Sequence, residues 1–209
     1  MKFTEKQILD LRSRVKSRLS EKRFTHTLGV EAAAVLIAEK CMSESIDEIR
    51  VAALLHDISK EYSVAEHFSI IDSNGVSLTE EYKTSVALLH SITGPFVIQT
   101  DFPEYATESI ISAVRNHTVG APDMNIFDEI IYLADYIEDN RSYPMCIEVR
   151  QSYFHDRSLA KSKEEQIIAL HRACIKALNN TIKEFTSRGK SYNEMTRLTR
   201  DSLLAKTER

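Results

Sequence analysis

The stretch VAALLHDISKEYS, residues 51–63, decides how the rest of the chain is interpreted. An apolar, helix-like run leads directly into His56 and Asp57, and another apolar residue, Ile58, follows them. A carboxylate at the edge of a protein core costs several kcal/mol unless it is paired, protonated or bound to a metal. The stretch therefore predicts a specific partner for Asp57, which other polar residues of the chain must supply.

Length and composition restrict the class of protein. The chain has 209 residues, of which 43% are hydrophobic and 28% charged, and its formal net charge is −4. This composition suffices for one globular core and resembles neither a basic nucleic-acid-binding surface nor a disordered acidic chain. We expect one domain over residues 1–209, with a core at 20–140 and C-terminal helices at 145–206 packed on it. We expect no DNA binding.

The N-terminal segment and the cysteines indicate an intracellular protein. Residues 1–19 interleave charged and apolar residues, unlike a signal peptide, and no apolar run approaches the length of a membrane span. Cys41, Cys146 and Cys174 are odd in number and far apart, which is typical of reduced thiols, and they form no CxxC metal site. We expect a soluble, cytoplasmic protein with no membrane partner. The sequence leaves the oligomeric state open, a homodimer included.

Helical patterns account for almost the whole chain. Only five glycines and four prolines interrupt it, and the spacing of a capping box, S/T-x-x-E, begins at Ser45, Ser63 and Ser77. These spacings predict helices that start near residues 46, 64 and 78. Apolar residues at helical spacing predict the other helices, at 4–19, 23–41, 85–99, 104–117, 125–138, 158–187 and 193–205. No alternating strand pattern competes, so the sequence predicts an all-α fold.

Polar residues on the apolar faces of other predicted helices offer partners to Asp57. These residues are His26, His90, His117 and Asp135. Each has apolar neighbours at helical spacing. Together with the histidine and aspartate of the opening stretch, they supply four imidazoles and two carboxylates. Such nitrogen and oxygen ligands suit divalent transition metals, and a carboxylate can bridge two ions. The pattern indicates a metal site between helices.

A purely structural role is the main alternative for these histidines. A single histidine on an apolar stripe is more often a hydrogen-bonded core residue than a ligand, and His171 lies on such a stripe with no motif around it. His67 and His155 fit no motif either, so we assign all three to the core or the surface. The adjacent histidine and aspartate of the opening stretch, together with a second inward aspartate, favour metal binding by the others.

Five ordered blocks of the sequence resemble the HD-domain metal-dependent phosphohydrolases, and more narrowly the bacterial YqeK family. The blocks are RFTHTLGV at 23–30, LLHDISK at 54–60, LLHSITG at 88–94, NHTVG at 116–120 and LADYIEDNR at 133–141. Together with TRLTRDSLL at 196–204, they extend over nearly the whole chain. The resemblance implies an all-helical HD domain with a dinuclear metal site between helices. It also implies iron as the usual metal, with manganese as an alternative, and symmetrical hydrolysis of diadenosine tetraphosphate to two ADP.

The resemblance also implies roles for individual residues. Asp57 would bridge two metal ions, and the remaining ligands would be His26, His56 and Asp135 for one ion and His90 and His117 for the other. Lys60 would take part in catalysis with Asp57 by binding phosphate oxygens; otherwise it is a solvated lysine at a helix end. Further substrate contacts are expected from Lys60, Arg23, Thr118, Gly120 and Arg141. Gly120 would otherwise be a helix C-cap, and the candidates to stack on adenine are Tyr136, Tyr143 and Phe127.

Two other functions remain open at the level of sequence. The same ligands would serve another HD phosphohydrolase, either a 5′-nucleotidase acting on a nucleoside monophosphate or a cyclic nucleotide phosphodiesterase. A non-catalytic helical regulatory protein with a vestigial site is the second alternative. Degenerate sites usually lose ligands, whereas this chain retains all six, and this favours an enzyme.

The ligand set predicts about two metal ions per chain, because one bridging carboxylate joins two groups of ligands. We expect iron or manganese rather than zinc, since the ligands are imidazoles and carboxylates and no cysteine is placed to help. Elemental analysis of protein purified without a chelator measures the number of metal ions per chain and identifies the metal. Substantially less than one ion per chain after anaerobic reconstitution with iron or manganese would contradict the metal site.

Overall fold

The computed structural model describes residues 2–207, and within that range the secondary structure is helical, with no β-strand. The all-α prediction is confirmed. Single 3₁₀ turns at Ser43–Ser45, Val86–Leu88 and Pro103–Tyr105 join some of the helices. The α-helices of this range are Glu5–Lys16 (α1), Glu21–Cys41 (α2), Ile46–Leu55 (α3), Val64–Ser73 (α4), Glu80–Thr84 (α5), Leu89–Asp101 (α6), Glu108–Asn116 (α7), Ile126–Ile137 (α8), Pro144–Leu159 (α9), Lys163–Ser187 (α10) and Glu194–Thr207 (α11).

Capping boxes explain where two of the helices begin. At α1, the Thr4 side chain accepts a hydrogen bond from the backbone N–H of Gln7, whose side chain accepts from the backbone of Thr4. Ser63 and Glu66 form the same reciprocal pair at the start of α4. Each box satisfies two backbone N–H groups that the helix itself leaves without partners. The predicted helix start near residue 64 is confirmed.

The spacings at Ser45 and Ser77 do not form capping boxes, but the helix start predicted near residue 46 is confirmed. Ser45 ends a 3₁₀ turn with φ −115° and ψ 17°, and its side chain makes no capping hydrogen bond, although α3 does begin at the next residue. A capping side chain usually belongs to a residue with extended backbone angles, and Ser45 does not have them. Ser77 precedes the helix by more than one residue, because Thr79 occupies the N-cap position of the five-residue α5.

The C-terminal region contains a helix, α9, that none of the predicted helix ranges described. In those ranges, the helix at 125–138 was followed directly by one at 158–187. A proline occupies the first position of α9, where its missing N–H would have had no helical partner. Ser162 caps α10, because its hydroxyl accepts from the backbone N–H of Glu165 at 3.2 Å. These two signals mark a new helix and a later start for α10, at Lys163.

The helices surround an apolar core with α3 at its centre. Every residue from Val51 to Leu55 is fully buried, and α3 contacts α1, α2, α7 and α8. On the other side of α8 and α2, α10 packs against both helices and also contacts α9 and α11. None of the described helices combines the length and the apolar character needed to cross a membrane. This packing places His56 and Asp57, which follow α3, where several helices meet.

A buried carboxylate joins the first three helices. Glu31 of α2 is 3% exposed and accepts hydrogen bonds from Arg12 of α1 at 2.8 and 2.9 Å and from Arg50 of α3 at 2.9 Å. Both oxygens of Glu31 therefore have cationic donors, which offset the free-energy cost of burying its charge. The network holds α2, which carries His26, beside α3.

Removal of this carboxylate should destabilise the fold. We expect Glu31→Ala to lower the free energy of unfolding by about 2–3 kcal/mol, because hydrogen bonds to charged groups are lost from a buried position. Glu5→Ala is the matched control, since Glu5 pairs with the same Arg50 but is mostly exposed, and it should cost less than about 1 kcal/mol. Urea denaturation of the two variants measures the difference, and equal losses would contradict this account of the network.

Candidate metal centre

The six predicted metal ligands converge in the structure. Their ligand atoms form two groups, and the atoms of each group lie within 4.8 Å of one another. One group consists of His26, His56 and Asp135, and the other of Asp57, His90 and His117. These side chains come from α2, α6, α8 and the turns that follow α3 and α7, so five segments remote in sequence contribute to one cluster.

Asp57 lies between the two groups, and each of its oxygens faces one of them. Oδ2 is 3.5 Å from Nε2 of His56 and 3.8 Å from Nε2 of His26. Oδ1 is 3.3 Å from Nε2 of His90 and 3.7 Å from Nε2 of His117. Asp57 is 3% exposed, so these contacts form its immediate surroundings. A carboxylate whose two oxygens face separate sets of ligands is well placed to bridge two metal ions.

Backbone carbonyls orient two of the histidines. Nδ1 of His56 is 2.7 Å from the carbonyl oxygen of Ala53, and Nδ1 of His117 is 2.7 Å from that of Val114. A carbonyl only accepts hydrogen bonds, so Nδ1 carries the proton and donates it, and Nε2 retains its lone pair for a metal. Both histidines directly follow the last residue of a helix, where carbonyl groups of the final turn have no partner within the helix.

Two ligand nitrogens of the cluster, Nε2 of His26 and Nε2 of His56, lack hydrogen-bond partners, as expected of atoms that bind a metal. Nε2 of His56 is buried and makes no hydrogen bond. Nε2 of His26 lies 3.0 Å from Oδ1 of Asp135, but the two atoms are not aligned for a hydrogen bond. A buried polar atom without a partner costs roughly 1–3 kcal/mol. A divalent ion would satisfy both nitrogens, so the residues present fit a metal.

Burial lowers the pKa of both His90 and Lys60. The pKa of His90 lies well below its usual range because of burial and the nearby His117 and Lys60. The neutral imidazole is the form that binds metals. Nζ of Lys60 lies 3.2 Å from both ring nitrogens of His90, and burial lowers the pKa of Lys60 as well. Lys60 therefore belongs to the cluster and is not a solvated lysine at a helix end.

Both carboxylates of the cluster are ionised. Burial by itself raises the pKa of Asp57, but the surrounding imidazoles outweigh burial and hold this pKa well below its usual range. Burial likewise raises the pKa of Asp135, and it is outweighed by Arg141 and His26. Arg141 donates to Oδ1 of Asp135 at 2.6 Å, and Arg23 donates to Oδ2 of Asp57 at 2.7 Å. Two arginines thus neutralise carboxylates beside the ligand nitrogens.

Four residues of the cluster, Asp57, His90, His117 and Asp135, line a cleft with a volume of about 950 Å³. Four of the five predicted substrate contacts line this cleft, namely Arg23, Lys60, Thr118 and Arg141. The hydroxyl oxygen of Thr118 is 3.2 Å from Nε2 of both His90 and His117, so it also contacts the ligand cluster. A cleft of this volume is large enough for a nucleotide.

Gly120, the fifth predicted substrate contact, lies outside the cleft lining. Its φ is +80°, and a Cβ on this residue would be 2.6 Å from the side chain of Thr199 in α11. Its backbone N–H donates to the carbonyl oxygen of Asn116 at 3.0 Å, at the end of α7. Glycine is required there by the positive φ and by close packing, so the structure explains Gly120 as a helix end.

The three aromatic residues predicted as candidates to stack on adenine lie in different environments. Tyr136 lines the cleft, whereas Phe127 is 4% exposed in the core and Tyr143 is 65% exposed outside the cleft lining. Phe185 and Tyr192, from the end of α10 and the segment before α11, line the cleft although no sequence motif marks them. Their position depends on how the C-terminal helices pack, which one sequence does not reveal.

The histidines assigned to the core or the surface lie outside the cluster. His67 is buried, and its Nδ1 is 2.8 Å from the hydroxyl oxygen of Thr93. His155 is exposed. His171 is buried with Nδ1 2.5 Å from Oε2 of Glu129, a second buried pair of histidine and carboxylate. Position on an apolar helix face therefore does not distinguish ligands from core residues.

Comparisons with known proteins agree with this geometry. The sequence model of the HD domain matches residues 23–140. The chain belongs to the HD domain family. It is 32% identical over 168 residues to the symmetrical bis(5′-nucleosyl)-tetraphosphatase of Bacillus subtilis. The aligned region covers 80% of this chain and 82% of that protein. The protein of the same name from Halalkalibacterium halodurans is 33% identical over 136 residues, or 65% of this chain and 71% of the relative.

A solved structure extends the similarity to the whole fold. The crystal structure of a predicted HD superfamily hydrolase involved in NAD metabolism from Clostridium acetobutylicum matches 98% of both chains with a TM-score of 0.80 and 28% identity. The resemblance inferred from the five sequence blocks is confirmed. HD domain hydrolases bind divalent metals, and the two groups of side chains around Asp57 could hold such an ion.

The position of Asp57 predicts how the protein responds to a chelator. A metal that binds only the folded state stabilises it by mass action, so a chelator should lower the melting temperature of the wild type. Asp57→Ala removes the carboxylate that both groups share, and this variant should contain little metal and respond weakly to the chelator. Differential scanning fluorimetry and elemental analysis measure the two effects.

His171→Ala is the control for this experiment. It removes a buried histidine that contacts Glu129 and no residue of the cluster. We expect it to melt at a lower temperature than the wild type while retaining the full metal content and the full response to the chelator. Equal chelator responses of the wild type and Asp57→Ala would contradict a bridging role for Asp57.

Proposed function

We propose that this protein is a metal-dependent phosphohydrolase that cleaves diadenosine tetraphosphate symmetrically into two ADP molecules. The observation that carries the proposal is the position of Asp57 between two groups of ligands, in a cleft that Arg23, Lys60 and Arg141 also line. The relatives from Bacillus subtilis and Halalkalibacterium halodurans, both named symmetrical tetraphosphatases, support the choice of substrate.

Two divalent metal ions are the cofactor in this proposal, with iron as the first choice and manganese as the second. The donor atoms of both groups are imidazole nitrogens and carboxylate oxygens, a set that suits these metals. The cysteines are absent from the two groups found among the described residues. Bound divalent cations lower the pKa of water and offset negative charge on phosphate.

Three basic side chains would bind the phosphate chain. Arg23, Lys60 and Arg141 line the cleft around the cluster, and charge-assisted hydrogen bonds from such groups to phosphate oxygens are strong. Lys60 contacts His90 directly, so we assign to it the phosphate that reacts. The two arginines already contact Asp57 and Asp135, and this pairing limits their motion and fixes where a phosphate group can be held.

The position of the phosphate chain decides which products form. In symmetrical cleavage, the oxygen of water forms a bond to one of the two inner phosphorus atoms, and the bond from that phosphorus to the central bridging oxygen breaks. The leaving group is ADP, and the phosphorus that was attacked remains in a second ADP. Attack on an outer phosphorus would give ATP and AMP instead. Cations that hold the leaving oxygen stabilise its developing charge, a role that suits Lys60 and Arg141.

The nucleosides need apolar surfaces beside the phosphate site. Tyr136, Phe185 and Tyr192 line the same cleft, and aromatic rings bind flat apolar groups well. We assign the adenine contacts to this set. The cytoplasm is the proposed location, because the three cysteines are free and buried, which fits a reducing compartment.

The products of the first turnovers test this function. We expect ADP as the sole early product when protein loaded with iron or manganese is incubated with diadenosine tetraphosphate, and Asp57→Ala should form none. Chromatography of the initial reaction mixture identifies the products. Equal amounts of ATP and AMP would refute symmetrical cleavage. Rapid hydrolysis of a nucleoside monophosphate or a cyclic nucleotide, without turnover of the dinucleotide, would favour another HD phosphohydrolase.

A further inference from the structure

A buried carboxylate contacts His26 on the side opposite to the cluster. Glu138, the residue after α8, is 2% exposed, and its Oε1 is 3.1 Å from Nδ1 of His26. A carboxylate only accepts hydrogen bonds, so Nδ1 of His26 carries the proton and donates it. In the neutral imidazole the lone pair is then on Nε2, which faces Asp135 and Asp57.

The location of His26 explains why the acceptor for its Nδ1 is a side chain and not a backbone carbonyl. His56 and His117 directly follow helices and use free carbonyl groups of the last turn. His26 lies inside α2, where the backbone carbonyls accept hydrogen bonds along the helix. A carboxylate from another segment is therefore the acceptor for its Nδ1, and that acceptor is Glu138.

Glu138 is itself held in place by the turn that follows α8. Its Oε2 accepts hydrogen bonds from the backbone N–H of Asn140 at 2.7 Å and from the side-chain amide of Asn140 at 2.9 Å. With His26 on the other oxygen, the carboxylate has three donors. Both oxygens are thus engaged, and the carboxylate has one defined position.

Arg150 of α9 holds the same turn from its other side. Its guanidinium donates to the carbonyl oxygens of Ile137 at 2.5 Å and of Arg141 at 2.9 Å, and also to that of Glu138. One arginine thus satisfies three carbonyl groups at the end of α8 and in the turn. The segment that contains Glu138 and Arg141 is anchored at both faces.

Gly29 provides the space for this carboxylate. It lies in the interior of α2, three residues after His26 and so on the same helix face. A Cβ on this residue would overlap Oε2 of Glu138 and would lie 3.0 Å from Nδ2 of Asn140. Glycine inside a helix is less favourable than alanine by about 1 kcal/mol, and here the carboxylate fills the space that glycine leaves.

We propose that Glu138 is a positioning residue that orients His26 for metal binding, and that residue 29 is glycine because this carboxylate occupies the adjacent space. The inference rests on the metal centre and is independent of which nucleotide is the substrate. Carboxylates that hold a metal-binding histidine fix its ring and raise its basicity, and their loss weakens metal binding roughly 10- to 100-fold.

Calorimetric titration of metal-free protein with Mn²⁺, without any nucleotide, tests the proposal. Glu138→Gln keeps the size of the side chain but removes its charge, and we expect one of the metal-binding steps to weaken by about 10- to 100-fold. Gly29→Ala keeps the carboxylate but displaces it, so it should weaken the same step. His26→Ala identifies that step, because it removes the ligand itself.

Glu129→Gln is the matched control. Glu129 is also a buried carboxylate bonded to a histidine, His171, but this pair lies outside the cluster. The control should lower the melting temperature of the metal-free protein and leave the affinity for Mn²⁺ unchanged. A loss of affinity in Glu138→Gln but not in Glu129→Gln separates the orientation of a ligand from general destabilisation.

The inference is overturned if Glu138→Gln binds Mn²⁺ as tightly as the wild type in every step while retaining the native helical content. If Gly29→Ala does not fold, Glu138→Gln decides alone, since it preserves the shape of the side chain. A wild type that binds no Mn²⁺ would overturn the inference together with the metal centre. Tight Mn²⁺ binding without hydrolysis of diadenosine tetraphosphate would refute only the proposed function.

Discussion

The structure depends on a carboxylate, that of Asp57, held almost completely out of water between imidazoles from other helices. An isolated charge in this position would be unstable by several kcal/mol. Arg23 offsets part of that cost by donating to Oδ2, and the imidazole nitrogens that face both oxygens form a geometry that suits two divalent cations. The buried α3 carries Asp57 to this place, and Glu31 holds α2 beside it.

Three of the four histidines of the cluster have an acceptor at Nδ1, and helix position decides which acceptor that is. His56 and His117 follow helix ends and use carbonyl groups of the last turn. His26 lies within a helix and uses Glu138, which in turn requires Gly29 and the anchored turn after α8. The placement of helix ends therefore contributes directly to the chemistry of the site, because it determines which ring nitrogen is free.

Sequence patterns predicted the elements that depend on local interactions, but the spacing of a capping box did not ensure that the capping hydrogen bonds form. The capping box at Ser63 is present because that residue has extended backbone angles, whereas Ser45 has the same spacing but ends a 3₁₀ turn. The helix α9 was not predicted, although its first residue, Pro144, is a recognised start signal. Spacing alone cannot report backbone angles, and this limits such predictions at helix boundaries.

The sequence by itself determined the helical class, the six residues that meet in the cluster and the family, because these follow from residue types, periodicity and ordered motifs. Only the tertiary structure decided that the two oxygens of Asp57 face different groups and that Gly120 packs against Thr199 away from the cleft. It also decided that the cleft is completed by side chains from α5 and from the junction of α10 and α11. Distances between residues remote in sequence depend on how whole helices pack, and a local pattern carries no record of that packing.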